Sequence, residues 1–237
     1  MLLNLEQMTK IAECPVCGAT EFVASEVLWP ELIAAWGLSE EEAAYIDRQQ
    51  GFACAGCGNS LRCMALAHAI VRSFRFPGCL EEFVRVQGSA KLRVLEINPA
   101  GMLTQLLQQL PFHRLIKYPE FDMTKLNIES GLYDLVVHSD TLEHIEYPEV
   151  ALNECLRVLR PGGRCIFTVP IIVSRLTRSR KGLPESFHGA REEKADDFLV
   201  HMEFGSDAWT YALKAGFSSC TIHCIEYPGG LAIEAKR

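Results

Sequence analysis

Long apolar runs are missing from this chain. No segment of its 237 residues approaches the roughly 18 apolar positions that a bilayer-spanning helix requires, so membrane insertion is not expected. The opening stretch, Met1 to Glu13, interleaves Glu6, Gln7 and Lys10 with its apolar residues and lacks the unbroken run of a signal peptide. The expected protein is therefore soluble and cytoplasmic. Basic residues are scarce as well: 23 Lys and Arg face 30 Asp and Glu, and residues 1–90 hold 6 against 11. A region this acidic is a poor reader of a phosphate backbone, because nucleic-acid affinity comes mainly from Lys and Arg, so nucleic acid is not an expected partner. Internal repeats and low-complexity tracts are absent too, and a 49% hydrophobic content is ample for a buried core, which excludes a disordered chain.

Cysteine, by contrast, is plentiful. A reducing compartment turns ten cysteines away from a disulfide framework and toward metal or thiol roles. Cys14, Cys17, Cys54 and Cys57 form two CxxC knuckles, Cys-Pro-Val-Cys-Gly and Cys-Ala-Gly-Cys-Gly, in which glycine lets backbone amides turn toward thiolate sulfur. Four such ligands suit a closed, structural Zn2+ site with no open position for a reacting water. The 36 residues between the pairs exceed a standard zinc ribbon and are read as a helical insert. Within it, Ser39 followed by Glu40, Glu41 and Glu42 signals a helix start. Cys63, Cys79, Cys155, Cys165, Cys220 and Cys224 lie in apolar stretches or helices and read as small buried hydrophobes.

The punctuation divides the chain into a zinc-binding and helical module at 1–88 and a larger domain at 89–237. A helix is expected over about Leu61 to Phe76, ending before Pro77-Gly78. From Lys91 onward strands and helices alternate: strands at Leu92–Ile97, Arg114–Tyr118, Tyr133–His138 and Arg164–Val169, helices at Met102–Leu110 and Pro148–Leu159. This is the pattern of a mostly parallel sheet flanked by helices. Residues 174–205 form a polar insert too long for an ordinary connection, expected to be a lid or substrate loop. A helix at about Asp207–Ala215 and two strands flanking Pro228-Gly229-Gly230 close the chain. So short a turn makes these strands antiparallel. The expected fold class is α/β: a Rossmann-like, mostly parallel sheet with a C-terminal antiparallel hairpin, plus the small N-terminal zinc-binding module.

The ordered set Val94-Leu-Glu-Ile97, Asp122, Tyr133-Asp-Leu-Val-Val-His-Ser-Asp-Thr-Leu-Glu-His144, Arg157-Val-Leu-Arg-Pro-Gly-Gly163 and Ala215-Gly-Phe217 resembles the type-11 class I S-adenosylmethionine-dependent methyltransferases. The resemblance implies methyl transfer from S-adenosylmethionine to a small or medium-sized acceptor, by O- or N-methylation of a sugar, lipid-linked or secondary-metabolite type. It implies cofactor contacts at Glu96, Asn98 and Gly101 after the first strand, at Asp122 on the adenine, and at Ser139, Asp140 and Leu142 after the fourth strand. The family usually places a second acid on the ribose; here that acid is either absent or Glu120. The family's Gly-x-Gly-x-Gly turn is also altered, with Asn98, Ala100 and Met102 at the glycine places. Asn tolerates positive φ and Ala is small, so a modified turn is expected.

Three histidines are candidates for a general base, since imidazole titrates near neutrality. His144 reads either as a base at the mouth of the site or as a packing residue, and His188 and His201 either as bases in the insert or as exposed loop residues. His138, inside a covered strand, reads as structural. The run Arg175, Arg178, Arg180 and Lys181 follows the fifth strand and suits either a solvated face or an anionic group of the acceptor. Two further functional readings stay open. One is an RNA methyltransferase docking its substrate through the zinc module; the other is a non-catalytic methyltransferase-fold binding module, motivated by the altered turn.

Overall fold

The computed structural model describes residues 11–87, 91–187 and 198–237. Strand β1 (Phe22–Ala24) follows the first knuckle. Helices α1 (Pro30–Trp36) and α2 (Glu40–Gly51) come next, and β2 (Phe52–Cys54) leads into the second knuckle, pairing antiparallel with β1. Helix α1 starts with Pro30 at a position where the missing N–H costs nothing and stops at Gly37, whose φ of 55° a side chain would resist. Helix α2 begins as its sequence signals: Ser39 Oγ accepts from Glu42 N–H at 3.1 Å, and the Glu42 carboxylate accepts from Ser39 N–H at 2.9 Å.

Helices α3 (Leu61–Ser73) and α4 (Leu80–Gln87) precede the sheet. The alternating part then runs β3 (Arg93–Ile97), α5 (Leu103–Leu107), β4 (Phe112–Ile116), β5 (Tyr133–Ser139), a 3-10 turn at Leu142–His144, α6 (Pro148–Val158) and β6 (Leu159–Thr168). After the short strands β7 (Ile171–Ile172), β8 (Arg178–Ser179) and β9 (Met202–Gly205) come α7 (Thr210–Lys214), β10 (Ser219–Glu226) and β11 (Gly230–Lys236). Six strands form the main sheet in the order β10-β11-β6-β5-β3-β4. The four from β4 to β6 are parallel, and β11 and β10 are antiparallel, as the hairpin spacing requires.

Period-two alternation sends successive side chains to opposite faces. Leu95, Ile97 and Val136 pack under α6 and α7, whereas Val94, Leu135, Val137 and Ile166 pack under α3, α4 and α5. The second face also contains Cys14, Val16 and Cys54 of the knuckles, so one apolar cluster runs across residue 88 and joins both parts of the chain. Helix α3 itself lies on β6, β10 and β11. A third cluster unites Trp36, Tyr45 and Ile46 of the knuckle insert with Ile172 and Val200.

Two expectations are adjusted locally. The Pro161-Gly162-Gly163 turn is an excursion inside a longer β6, where Gly163 lies so close to backbone oxygens of Arg160 and Tyr133 that a Cβ would meet them at 2.9 and 3.1 Å. The insert at 174–205 is not wholly irregular, because β8 and β9 pair within it and β9 also pairs with β7. No helix of the described residues is long and apolar enough to cross a membrane.

Candidate active site

The strand order reverses on either side of β3, which has β4 on one flank and β5 on the other. Ligands of open α/β sheets bind beyond the carboxyl ends of strands at such a switch point. A cavity of about 500 Å³ lies there, bounded by the loops that leave β3 (Asn98), β4 (Tyr118) and β5 (Ser139 and Asp140), and by Asp122 and His144.

The altered glycine turn keeps the backbone that the resemblance implies. Asn98 adopts a φ of 56° and Gly101 one of 60°. The Asn98 side-chain oxygen accepts from Tyr118 N–H at 3.0 Å, tying the β3 loop to the β4 loop. Ala100 is fully buried, and Gly101 is needed for space as well as φ, because a Cβ would lie 3.0 Å from Cys63 Sγ. Between β4 and β5 the chain makes turns and no strand, so there is one acidic passage where the family usually has two.

The sequence-derived cofactor residues separate into two groups. Asn98, Asp122, Ser139 and Asp140 line the cavity. Glu96, Gly101, Glu120 and Leu142 do not. Glu96 is completely buried and turned into its own loop, accepting from Ala100 N–H at 2.8 Å and Thr104 Oγ1 at 2.5 Å and meeting His113 Nε2 at 2.7 Å. Its carboxylate therefore organises the turn. Glu120 is exposed, Leu142 is buried in the core, and Lys117 and Tyr118 stand where β4 ends. Asp122 Oδ1 accepts from both the backbone N–H (2.8 Å) and the hydroxyl (2.7 Å) of Thr124, which fixes the carboxylate at the cavity wall.

His144 also lines the cavity. Its Nδ1 lies 3.0 Å from the Leu199 carbonyl, an acceptor only, so Nδ1–H donates there, while Nε2 lies 3.8 Å from Glu143 Oε1. His201 lines the same cavity and donates its backbone N–H to the Glu143 carbonyl at 2.7 Å. His188 lies outside the described residues. His138 is fully buried and stacks on Phe167 with ring centroids 4.8 Å apart; burial holds its pKa down at about 3, so it is a neutral core residue.

A second cavity of about 340 Å³ opens beside the first, and the two share Asp140, His144 and Phe198. Most of its wall comes from the stretch between the knuckles, with Trp29 and Trp36 among its residues, and Phe198 is the contribution of 174–205 among the described residues. Where the cavities meet, Arg62 of α3 donates from Nε to Gln50 Oε1 (3.2 Å) and from Nη1 to Ser139 Oγ (2.6 Å), and pairs with Asp140 at 3.0 Å. Sequence reading missed this group. Two signals carried it: the i, i+4 spacing of Leu28, Leu32 and Trp36, and an arginine in the first turn of a mostly apolar helix.

The basic run is occupied by carboxylates. Arg175 pairs with Glu42 at 2.5 Å and donates to the Trp36 and Gly37 carbonyls at the end of α1 (3.0 and 2.6 Å). Arg178 and Arg180 both pair with Glu203, and Lys181 lies 3.8 Å from Glu146. Burial opposes ionisation of Glu42, but the hydrogen bonds from Arg175, Ser174 and Ser39 outweigh it and hold its pKa at about 2. Together with Arg48, which pairs with the buried Glu226, these contacts strap the insert to the sheet.

The four knuckle sulfurs all lie within 4.8 Å of one another, with Cys14–Cys57 at 3.7 Å and Cys17–Cys54 at 3.6 Å. A tetrahedron with Zn–S bonds of about 2.3 Å has edges of about 3.8 Å, so the spacing fits the ion. Gly18 and Gly58 adopt φ of 78° and 70° in the knuckles, and Asn59 Nδ2 donates to Cys57 Sγ at 3.3 Å. Burial pushes the Cys14 thiol well up and the Cys17 thiol up to about 11, so a metal would displace protons as it bound.

Residues 77–167 match the family model of a methyltransferase domain. Over 89 residues the chain is 27% identical to the ubiquinone biosynthesis O-methyltransferase of Nitrosococcus oceani, a match covering 37% of either protein. The matched region thus spans little more than a third of that relative. Among solved structures, an S-adenosylmethionine-dependent methyltransferase from Thermotoga maritima aligns at 15% identity over 66% of this chain and 91% of its own, with a TM-score of 0.37. One from Mesorhizobium loti aligns at 14% identity over 68% of this chain and 99% of its own, also at 0.37. The ordered motifs and the family model agree over residues 77–167, little more than a third of the chain, which are similar to a methyltransferase domain.

Proposed function

We propose that this chain transfers the methyl group of S-adenosylmethionine to a hydroxyl of a small or medium-sized acceptor, with a zinc ion bound by four cysteines as a structural clasp. The observation that carries this reading is the pair of adjoining cavities sharing Asp140, His144 and Phe198, one at the switch point of the sheet and one under the knuckle insert. A cofactor in the first cavity would be held by Asn98, Asp122, Ser139 and Asp140, and when bound it supplies an electrophilic methyl on a positively charged sulfur. The relative matched over 89 residues is named for O-methylation, which favours oxygen as the accepting atom.

The protein's own task is alignment of an acceptor lone pair, exclusion of water and removal of one proton. His144 stands on the shared wall with its Nδ1–H anchored, and Nε2, 3.8 Å from Glu143 Oε1, is the atom that would take the acceptor's proton. Arg62 and Asp140, paired at 3.0 Å, neutralise one another at the junction and leave a polar floor beneath an apolar wall. Zinc, bound by Cys14, Cys17, Cys54 and Cys57, would close the loop that carries α1 and α2 and so hold that wall in place.

Calorimetric titration of the zinc-loaded chain with S-adenosylmethionine and its demethylated product tests the reading. Micromolar binding weakened at least tenfold by Asp122→Ala is the expected result. Absence of binding by both ligands would overturn methyl transfer and leave a non-catalytic module.

A further inference from the structure

We infer that His138, Cys155 and Cys165 form a second metal site, buried under α6 and separate from the knuckles, and that its ion is monovalent copper. The inference stands apart from the methyl-transfer reading.

The cluster is assembled from three elements. Val136 of β5 pairs with Cys165 of β6, and His138, two residues on, pairs with Phe167. Period-two alternation puts these four on one face of the sheet, and Cys155 reaches the same apolar cluster from α6. One ring nitrogen of His138 and the two sulfurs lie within 4.8 Å of one another, and each of the three residues is 0% exposed. Both cysteines are free thiols. Metal–sulfur and metal–nitrogen bonds of about 2.3 and 2.0 Å set three ligands in a plane about 4.0 and 3.7 Å apart, inside that spread. Among the described residues, the knuckle sulfurs and this trio are the two places where three or more His, Cys, Asp or Glu ligands converge. Cys63, buried on the opposite face, joins neither, so convergence is not the common fate of a core cysteine here.

The imidazole is an independent observation. Neither ring nitrogen of His138 has a hydrogen-bond partner among the described residues. Phe167, stacked on the ring with centroids 4.8 Å apart, supplies none. A polar group buried in this way is costly, and an ion is one of the few things that accounts for it. Coordination gives the lone pair of one nitrogen a partner that an apolar side chain of the same size would not need.

The donors select the ion. Two sulfurs and an imidazole are soft or borderline ligands, which turns away the oxygen-seeking Mg2+ and Ca2+. Structural zinc takes four ligands, whereas three converge here and all are closed to bulk solvent. Monovalent copper favours sulfur and is satisfied by two or three ligands. Charge agrees, because Cu+ with one thiolate, one thiol and a neutral imidazole is neutral overall, as an apolar surrounding requires. On binding, one Cys S–H bond breaks and a Cu–S bond forms. The proton leaves to solvent, and copper keeps its oxidation state. The ion would pin α6 to β5 and β6 one residue below Ser139 and Asp140, which line the switch-point cavity.

The test adds Cu+, buffered by bicinchoninate, to the full zinc-loaded chain under anaerobic conditions. Copper and zinc are both counted after desalting, and the copper ligands are identified by X-ray absorption. One equivalent of copper is expected to bind with all zinc retained, in a shell of one imidazole nitrogen and two sulfurs. Cys155→Ala and Cys165→Ala keep the core apolar and are the more certain to fold. Each should weaken copper binding at least a hundredfold, as should His138→Phe. Cys54→Ser, which removes a knuckle ligand, should leave the nitrogen in the copper shell. Copper that enters only as zinc leaves, a shell of sulfurs alone, or uptake indifferent to both alanine substitutions overturns the site. Failure of copper to bind either the folded chain or chain refolded with both ions overturns it too. Uptake of a second zinc in preference to copper overturns the choice of ion.

Discussion

The two cavities of this protein are built in opposite ways. The one at the switch point is made mainly by loops that each leave the end of a neighbouring strand, with Phe198 and His201 added from farther along the chain. The one beside it is made by α1, α2 and a single residue of α3, together with Pro170 and Phe198 from more than a hundred residues away. A sheet edge places its loops automatically once the strands pair. The wall under the knuckle insert must be strapped down by contacts the sheet does not provide: four sulfurs at one end and the Arg175–Glu42 and Arg48–Glu226 pairs at the other. The lesson is that the first site depends on the core of the domain, and the second on a clasp that can fail separately.

The sharpest break of this contrast is Cys54→Ser. It should reduce bound zinc from one equivalent to none by metal analysis and abolish acceptor binding. S-adenosylhomocysteine affinity, read by calorimetry, should change less than tenfold. A parallel loss of both ligands would mean that the two sites share one scaffold. On the other side of the contrast, Glu96→Ala removes the buried carboxylate that holds Ala100, Thr104 and His113. Denaturant unfolding should report a loss of about 3 kcal/mol, with weaker cofactor binding and an intact zinc site.

His144→Gln acts where the two meet. It should lower turnover by at least a hundredfold, with both affinities changed by less than fivefold. Unchanged turnover would assign His144 to packing.

Further effects come from acid. His138, held at about 3 in the fold against about 6.5 when unfolded, keeps its stabilising contribution above pH 6.5 and loses it as pH falls toward 3. Stability should therefore drop by up to about 1.4 kcal/mol per pH unit across that window, and His138→Phe should flatten the slope. Glu42 is also depressed, so its contribution is complete above its unfolded value of about 4.5 and disappears toward pH 2. Tryptophan fluorescence should record loosening of the insert in that lower window, and Glu42→Gln should produce the loosened state at neutral pH.

Much of the switch-point cavity could be read from local chemistry. Asn98 has a side chain that tolerates positive φ, Asp122 lies a short turn before a strand, and Ser139-Asp140 ends an apolar run; each belongs to a pattern contained in a few residues. Glu96 shows the limit of such reading. Its position near the end of an apolar strand was legible, but the direction of its side chain was not. Alternation turned it onto the α5 face and into Thr104. The basic run from Arg175 to Lys181 fared similarly, since a charge in sequence carries no record of the carboxylate that will meet it.

The amino-acid sequence by itself determined the elements of the sheet, the antiparallel closing hairpin and the two cysteine knuckles, because strand alternation, capping and ligand spacing are short-range properties of the chain. Only the tertiary structure decided that Trp29, Trp36, Arg62 and His144 line one cavity. Those residues meet through packing and ion pairs between segments far apart in sequence, and nothing local to any of them specifies its partner.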